Sequence, residues 1–191
     1  MVRDGRSSTK EYRIYSDTKI TIPGISRATI DDLQEGDIVT LKFVGTELKE
    51  VIVIPPYYGF ITAIDGNRIV IQKGTETETI RMNHNLTVYN ANENEMSPSG
   101  LRVHDFVRVT KMGDQYTLTQ ASTMEGELYT VSTSQGKIYF YDRNRAYRNL
   151  DLGRDVTAWS NAGTLLLGDL ERGMEITMYL FDNKVVGIRV K

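Results

Sequence analysis

The sequence predicts an all-β protein of tandem small β-barrel repeats, two complete and one N-terminally truncated, with very little helix. Three observations carry this. The stretch Leu33-Gln-Glu-Gly36-Asp37-Ile-Val-Thr-Leu41 aligns with Leu101-Arg-Val-His104-Asp105-Phe-Val-Arg-Val109 and again with Leu170-Glu-Arg-Gly173-Met174-Glu-Ile-Thr-Met178, at steps of about 68 residues. A second anchor keeps nearly the same step: Gly59-Phe-Ile-Thr-Ala-Ile-Asp65 precedes Gly126-Glu-Leu-Tyr-Thr-Val-Ser132 by about 67 residues. A fixed internal period is the signature of a repeat architecture. The third observation is a periodicity of two, in which Val39, Leu41 and Phe43 alternate with Thr40 and Lys42, and Ile176, Met178 and Leu180 with Thr177 and Tyr179. Such alternation describes a strand with one buried and one wet face.

Taken in order, the first segment (1–56) is expected to hold strands at Tyr12–Tyr15 and Lys19–Ile22. A single helical turn at Thr29–Gln34 and the shared strand from Val39 follow. Aligned on that strand, the hairpin that opens the other segments would begin upstream of Met1. The first segment therefore reads either as an excerpt of a longer array or as an incomplete barrel with an open edge, and open edges recruit strands. Pro55-Pro56 bars helix and regular pairing and marks the next boundary. The middle segment (57–122) is expected to carry strands at Ile61–Ile64 and Arg68–Ile71 around the turn Asp65-Gly66-Asn67, then Thr79–Met82, Leu86–Tyr89, one through Val107 and Val109, and Tyr116–Thr119. The last segment (123–191) adds Glu127–Val131, Lys137–Tyr141, Tyr147–Leu150, Val156–Trp159, the strand from Ile176 and Val185–Val190, with turns at Gly136 and Asp182-Asn183 and a second helical turn at Gly168–Glu171. Gly36 and Gly173 share one slot before the core strand, which predicts positive φ there. His104 fills that slot in the middle segment.

Composition narrows the function classes. With 23 basic and 25 acidic residues the charge is nearly balanced, whereas nucleic-acid binders show a basic stripe. No nucleic-acid partner is expected. The absence of cysteine removes disulfides, thiolate catalysis and Cys-based metal sites. No apolar run reaches membrane-spanning length, and Met1–Lys10 has no apolar signal-peptide stretch. A piece cut from a longer exported protein would look the same.

The pattern Gly-x-Ile-x-x-Ile-Asp, Arg-Ile-Val-Ile, Leu-Thr-Val-Tyr and Gly-Leu-x-x-x-Asp-Phe-Val-x-Val in the middle segment resembles small β-barrel repeats of Gram-positive bacterial cell-surface proteins that also carry S-layer homology anchor segments. Leu33-Gln-Glu-Gly36-Asp37-Ile-Val39 matches the turn of that family, and Leu170-Glu-Arg-Gly173-Met174-Glu-Ile176 matches it more loosely. The resemblance covers most of the middle and last segments and the later half of the first, with departures at His104 and Met174. It implies a non-enzymatic, extracellular, architectural role among neighbouring copies or other envelope proteins.

Residues that would carry chemistry are few. His84 and His104 are the two histidines, and a metal site would need them to converge with a carboxylate such as Asp105. Asp31, Asp32, Glu35 and Asp37 form one acidic cluster, and Asn90, Asn92, Glu93, Asn94 and Glu95 a second. These are oxygen ligands of the kind Ca²⁺ takes, although solvated turns explain them more simply. No cofactor is expected. Tyr57, Tyr58, Tyr139, Tyr141, Tyr147 and Trp159 are the candidate interaction surface, since exposed aromatics stack on sugars or protein partners. The sequence thus supports a structural or assembly segment of a cell-envelope, S-layer-associated or appendage protein. A glycan-binding module for cell-wall glycan and a phage tail or baseplate component are the alternatives.

Overall fold

Strands form where β-branched and aromatic residues alternate with polar ones. In the computed structural model, which describes residues 2–3, 9–34 and 37–191, 59% of those residues are strand and no α-helix is present among them. Residues Met1–Pro56 make one compact unit and Tyr57–Lys191 another. Gly36 and Glu35 lie outside the described residues.

In the first unit β1 (Val2–Arg3) pairs with β2 (Thr9–Lys10). Three further strands, β3 (Lys19–Thr21), β4 (Val39–Val44) and β5 (Glu47–Val53), form a sheet in the order β3-β5-β4. β3 runs parallel to β5 and β4 antiparallel to it. Leu48, Val51 and Val53 from β5, with Ile22, are the buried apolar side chains among the described residues of this unit. The strand expected at Tyr12–Tyr15 is not formed. Thr18 ties that segment into a turn instead, its N–H donating to Tyr15 O at 3.0 Å and its Oγ1 accepting from Tyr15 N–H.

The second unit contains two larger sheets. The middle one is built from β6 (Tyr57–Asp65), β7 (Arg68–Lys73), β8 (Glu76–Arg81), β9 (Leu86–Tyr89), β10 (Glu95–Met96), β11 (Phe106–Met112) and β12 (Gln115–Gln120), in the order β10-β9-β12-β11-β6-β7-β8. The last is built from β13 (Ser122–Ser132), β14 (Lys137–Asp142), β15 (Tyr147–Ser160), β16 (Gly163–Leu165), β17 (Glu175–Phe181) and β18 (Lys184–Val190), in the order β14-β13-β17-β18-β15-β16. Because β14 also pairs with β15, five strands of the last sheet return on themselves. In the middle sheet no such pairing joins β8 to β9, which Met82–Asn85 separate. Tyr147–Leu150 and Val156–Trp159, expected as two strands, are one long β15. Its pairing with β18 shifts register between Leu152 and Thr157, where Gly153 lets Val186 approach: a Cβ there would sit 2.9 Å from Val186 Cγ1.

One arrangement recurs three times. β3, β9 and β15 each lie parallel to the second strand of a following hairpin, namely β5, β12 and β18. Before each hairpin stands a single 3₁₀ turn, Ile30–Asp32, Pro98–Gly100 or Leu167–Asp169, followed by Leu33, Leu101 or Leu170. The repeated leucines are thus the residues that end a turn. Next comes a β-turn in which Asp37, Asp105 and Met174 N–H donate to Gln34, Arg102 and Glu171 O at 3.1, 3.1 and 3.3 Å. Its third position has φ +76 at His104 and φ +92 at Gly173, the conformation a type II turn requires. In return Asp37 and Asp105 Oδ2 accept from Gln34 and Arg102 N–H at 2.8 Å, and Met174 Sδ accepts from Glu171 N–H at 3.3 Å. Both departures from the motif therefore keep its geometry.

Within the second unit, the expected row of independent small barrels is corrected to a solenoid-like stacking of the middle sheet on the last. The reason lies in β11 and β17, which bury aromatic rings on the faces turned away from their own cores. Val107 and Val109 enter the middle core, while Phe106 points the other way. Met178 and Leu180 enter the last core, while Tyr179 and Phe181 point outward from it. A strand buried on both faces needs a second layer. The two outward faces supply it to each other, as Phe106, Tyr179, Phe181 and Val186 pack with Tyr58, Phe60, Ala121 and Trp159.

Candidate functional site

Alternation sorts the candidate aromatics. Along β14, Ile138 and Phe140 are fully buried, so Tyr139 and Tyr141 take the outer face. β15 pairs Tyr147 with Tyr141. A bulge in β13 between Leu128 and Thr130 brings Tyr129 to the same group. Tyr147 is the hub, with ring centroids 5.5 Å from Tyr129, 6.0 Å from Tyr139 and 5.6 Å from Tyr141. It is 52% exposed. The Arg172 guanidinium lies 4.6 Å over the Tyr129 ring, a cation–π contact. Tyr139 Oη donates to Gln135 Oε1 at 2.8 Å. Partial desolvation among these rings, and then the neighbouring phenols, push the Tyr147 hydroxyl above its ordinary value.

The other candidates sit elsewhere. Trp159 is not on the tyrosine surface: it stacks on Phe106 and Tyr179, each at 5.7 Å and 22°, and meets Phe60 edge-on at 5.5 Å. Gly187 makes room for it, since a Cβ there would come within 2.7 Å of the indole. Tyr58 stacks near Phe106 at 6.3 Å and Phe181 at 5.5 Å. Tyr57 packs against the middle core. Its Oη is buried with no hydrogen-bond partner among the described residues, and burial, followed by the nearby Glu78 carboxylate, pushes its pKa up. Three of the six candidates therefore share the outer patch, two belong to the joint between sheets and one to the core. The sequence reading did not include Tyr129 or Arg172. The bulge that presents Tyr129 breaks the alternation by which it could have been found.

A groove of about 550 Å³ in the last sheet is lined by Glu125, Asp142, Arg143, Asn144, Arg148 and Leu150. Its arginines already have partners: Arg143 pairs with Glu125, and Arg148 with Asp142 at 3.1 Å. Each carboxyl is held below its usual range, that of Glu125 first by the Arg143 hydrogen bond and that of Asp142 first by the Ala146 N–H.

Asp32, Asp37 and Asn90 of the two acidic clusters cap turns. Asp32 Oδ2 accepts from Thr29 N–H at 2.8 Å and from Thr29 Oγ1. Asn90 Oδ1 accepts from Asn92 and Asn94 N–H. Among the described residues no three His, Asp or Glu side chains converge as metal ligands do, and no helix is long and apolar enough to cross a membrane. His104 contributes its backbone, through its left-handed φ. No protein-family model matches the chain, and no curated protein matches it either.

Proposed function

We propose that this chain is a non-enzymatic structural segment of a bacterial cell-envelope or appendage protein, acting as a stiff spacer and assembly element at the cell surface. The observation that carries the reading is the aromatic joint of the second unit. Phe106, Tyr179 and Phe181 are each below a tenth exposed, and burying one such ring contributes on the order of 2–3 kcal/mol. Arg108 adds a clamp across the joint, pairing with Asp182 at 2.6 Å while lying 5.0 Å over the Phe181 ring. The chain places Trp159 and five further aromatic rings where they fix one sheet to the next. That suits a spacer, whose work is to hold distance and direction. The repeat resemblance described above supports the envelope setting.

Residual dipolar couplings test the stiffness. A single alignment tensor should fit the middle and last sheets of the native chain, and two should be needed for Phe106→Ala together with Trp159→Ala. Two tensors in the native chain would refute a stiff spacer. Fractionation of the source cells tests the setting, and recovery in the cytosol alone would exclude it.

A second reading, binding of cell-wall glycan, is favoured by the tyrosine patch, because exposed rings grouped on a rigid sheet can stack on sugar faces. Pulldown with purified wall glycan should then be lost in Tyr147→Ala and kept in Tyr58→Ala.

A further inference from the structure

The repeat arrangement leaves one strand unfinished. In the middle sheet β6 covers β11, with Gly59 opposite Val107, and in the last sheet β13 covers β17, with Gly126 opposite Ile176. The strand equivalent to β11 and β17 in the first unit is β4, which among the described residues pairs with β5 alone. Burial records the difference. Val107, Val109, Ile176 and Met178 are fully buried, whereas Val39 and Leu41 at the matching positions are only half-buried. Further along β4, Phe43 is 42% and Val44 69% exposed.

The backbone of β4 faces the same way as its counterparts. Ile54 N–H donates to Ile38 O at 2.8 Å, as Ala121 N–H does to Phe106 O and Lys191 N–H to Glu175 O. Since successive peptide groups alternate in direction along a strand, Val39, Leu41 and Phe43 turn their N–H and C=O groups to the free side. In the complete sheets the covering strand is also fixed two residues beyond its glycine. Ile61 N–H donates to Asp105 O at 2.9 Å and its O accepts from His104 N–H at 2.7 Å; Leu128 makes the same two bonds to Met174 and Gly173 at 2.8 Å. Ile61 and Leu128 are both fully buried. The glycine has a reason of its own. A Cβ at residue 59 or 126 would lie 2.4 Å from Gln72 O or 2.5 Å from Tyr141 O, inside the incoming hairpin.

We propose that β4 is an acceptor edge for an antiparallel β-hairpin that places glycine opposite Val39 and isoleucine or leucine two residues further on. The hairpin adds main-chain bonds along Val39–Phe43 and completes the half-built core over Val39 and Leu41, a β-augmentation whose register is set by the side chains it buries. The inference rests on the assembly reading above and names the kind of partner it needs.

The test titrates the ¹⁵N-labelled 191-residue chain with a synthetic peptide of sequence 57–73, the β6–β7 hairpin. Saturable shifts and slowed hydrogen exchange at Val39, Leu41 and Phe43 are expected. Binding should weaken at least about tenfold in the chain variant Leu41→Pro, which removes one outward N–H, and in the peptide variant Gly59→Val. The peptide variant leaves the protein untouched, so it stands even where Leu41→Pro perturbs the first unit. Absence of shifts in β4, equal binding of a scrambled peptide, or shifts confined to β11 would overturn the proposal. So would self-association of the chain through β4 without peptide binding, which would assign the edge to a second copy. A failed titration beside an intact result from dipolar couplings would remove the acceptor edge and leave the spacer reading standing.

Discussion

His104 holds φ +76 at a turn position where the last sheet has Gly173 at φ +92. A Cβ in the left-handed region costs about 1–2 kcal/mol, and histidine tolerates it better than β-branched residues do. His104→Gly is therefore expected to raise the melting temperature of the second unit by a few degrees, and His104→Val to lower it, as read by calorimetry. A lower melting temperature for the glycine variant would show that the imidazole has another role. Asp105, the next residue, uses one oxygen twice: Oδ2 accepts from Arg102 N–H at 2.8 Å and from Gln120 Nε2 at 2.7 Å. Asp105→Ala should cost about 1–3 kcal/mol, the range for leaving such donors without a partner, measured by urea denaturation. Asp105→Asn should recover most of it, because the amide oxygen still caps the turn.

Two hairpins, β6–β7 and β13–β14, carry the same devices: a glycine at the crossing (Gly59, Gly126) and a bulge three residues later, at Thr62 and Tyr129. The clash at either glycine is with main chain, which cannot swing away. Gly59→Ala and Gly126→Ala should each destabilise by about 1–3 kcal/mol, whereas Gly66→Ala, with open space around its Cβ and strain from φ +55 alone, should cost less. Equal losses at all three would remove the close-approach explanation. These glycines were legible as a repeat anchor before any reason for them was visible. Most strands were legible too, because alternation along one buried face is a local property. β5 was not: its bulge at Lys49 sets the buried Leu48 and Val51 three residues apart, breaking the period of two. The turn at Pro98–Gly100 was hidden because Ser97-Pro-Ser-Gly reads as any loop. Of the candidate surface, Tyr139, Tyr141 and Tyr147 could be placed from their strand positions. The joint that takes Tyr58 and Trp159 could not, since it depends on which distant strands meet. Its trace in the sequence is the adjacent apolar pair Phe106-Val107 and the run Tyr179-Leu180-Phe181, each too rich for a strand with one wet face.

Across the whole molecule, the two compact units differ in what holds them. Met1–Pro56 has a short core of Ile22, Leu48, Val51 and Val53, while Tyr57–Lys191 has two clusters of buried residues and the aromatic joint. The smaller core leaves more weight on charges. Glu50 in β5 stands between Lys42 of β4 and Lys19 of β3, both its register partners, at 2.9 and 3.2 Å, and accepts from Thr21 Oγ1 at 3.1 Å. The Lys42 hydrogen bond first, and then that of Lys19, bring its pKa from 4.5 down to about 2. A carboxyl that titrates lower in the folded than in the unfolded chain stabilises fully above the unfolded value and loses that contribution as pH falls through the folded one. The first unit should therefore weaken between about pH 4.5 and 2, and hydrogen exchange should show β3–β5 amides opening over that interval while Val107 and Ile176 stay protected. Glu50→Gln should be less stable at pH 7 but flat across the same interval. Both lysines are more than half exposed, so 1 M salt, with a Debye length of about 3 Å, should shrink the difference between the native chain and the variant. An acid limb unchanged by Glu50→Gln, or second-unit amides opening first, would show that the carboxylate clamp does not govern the acid response of the first unit.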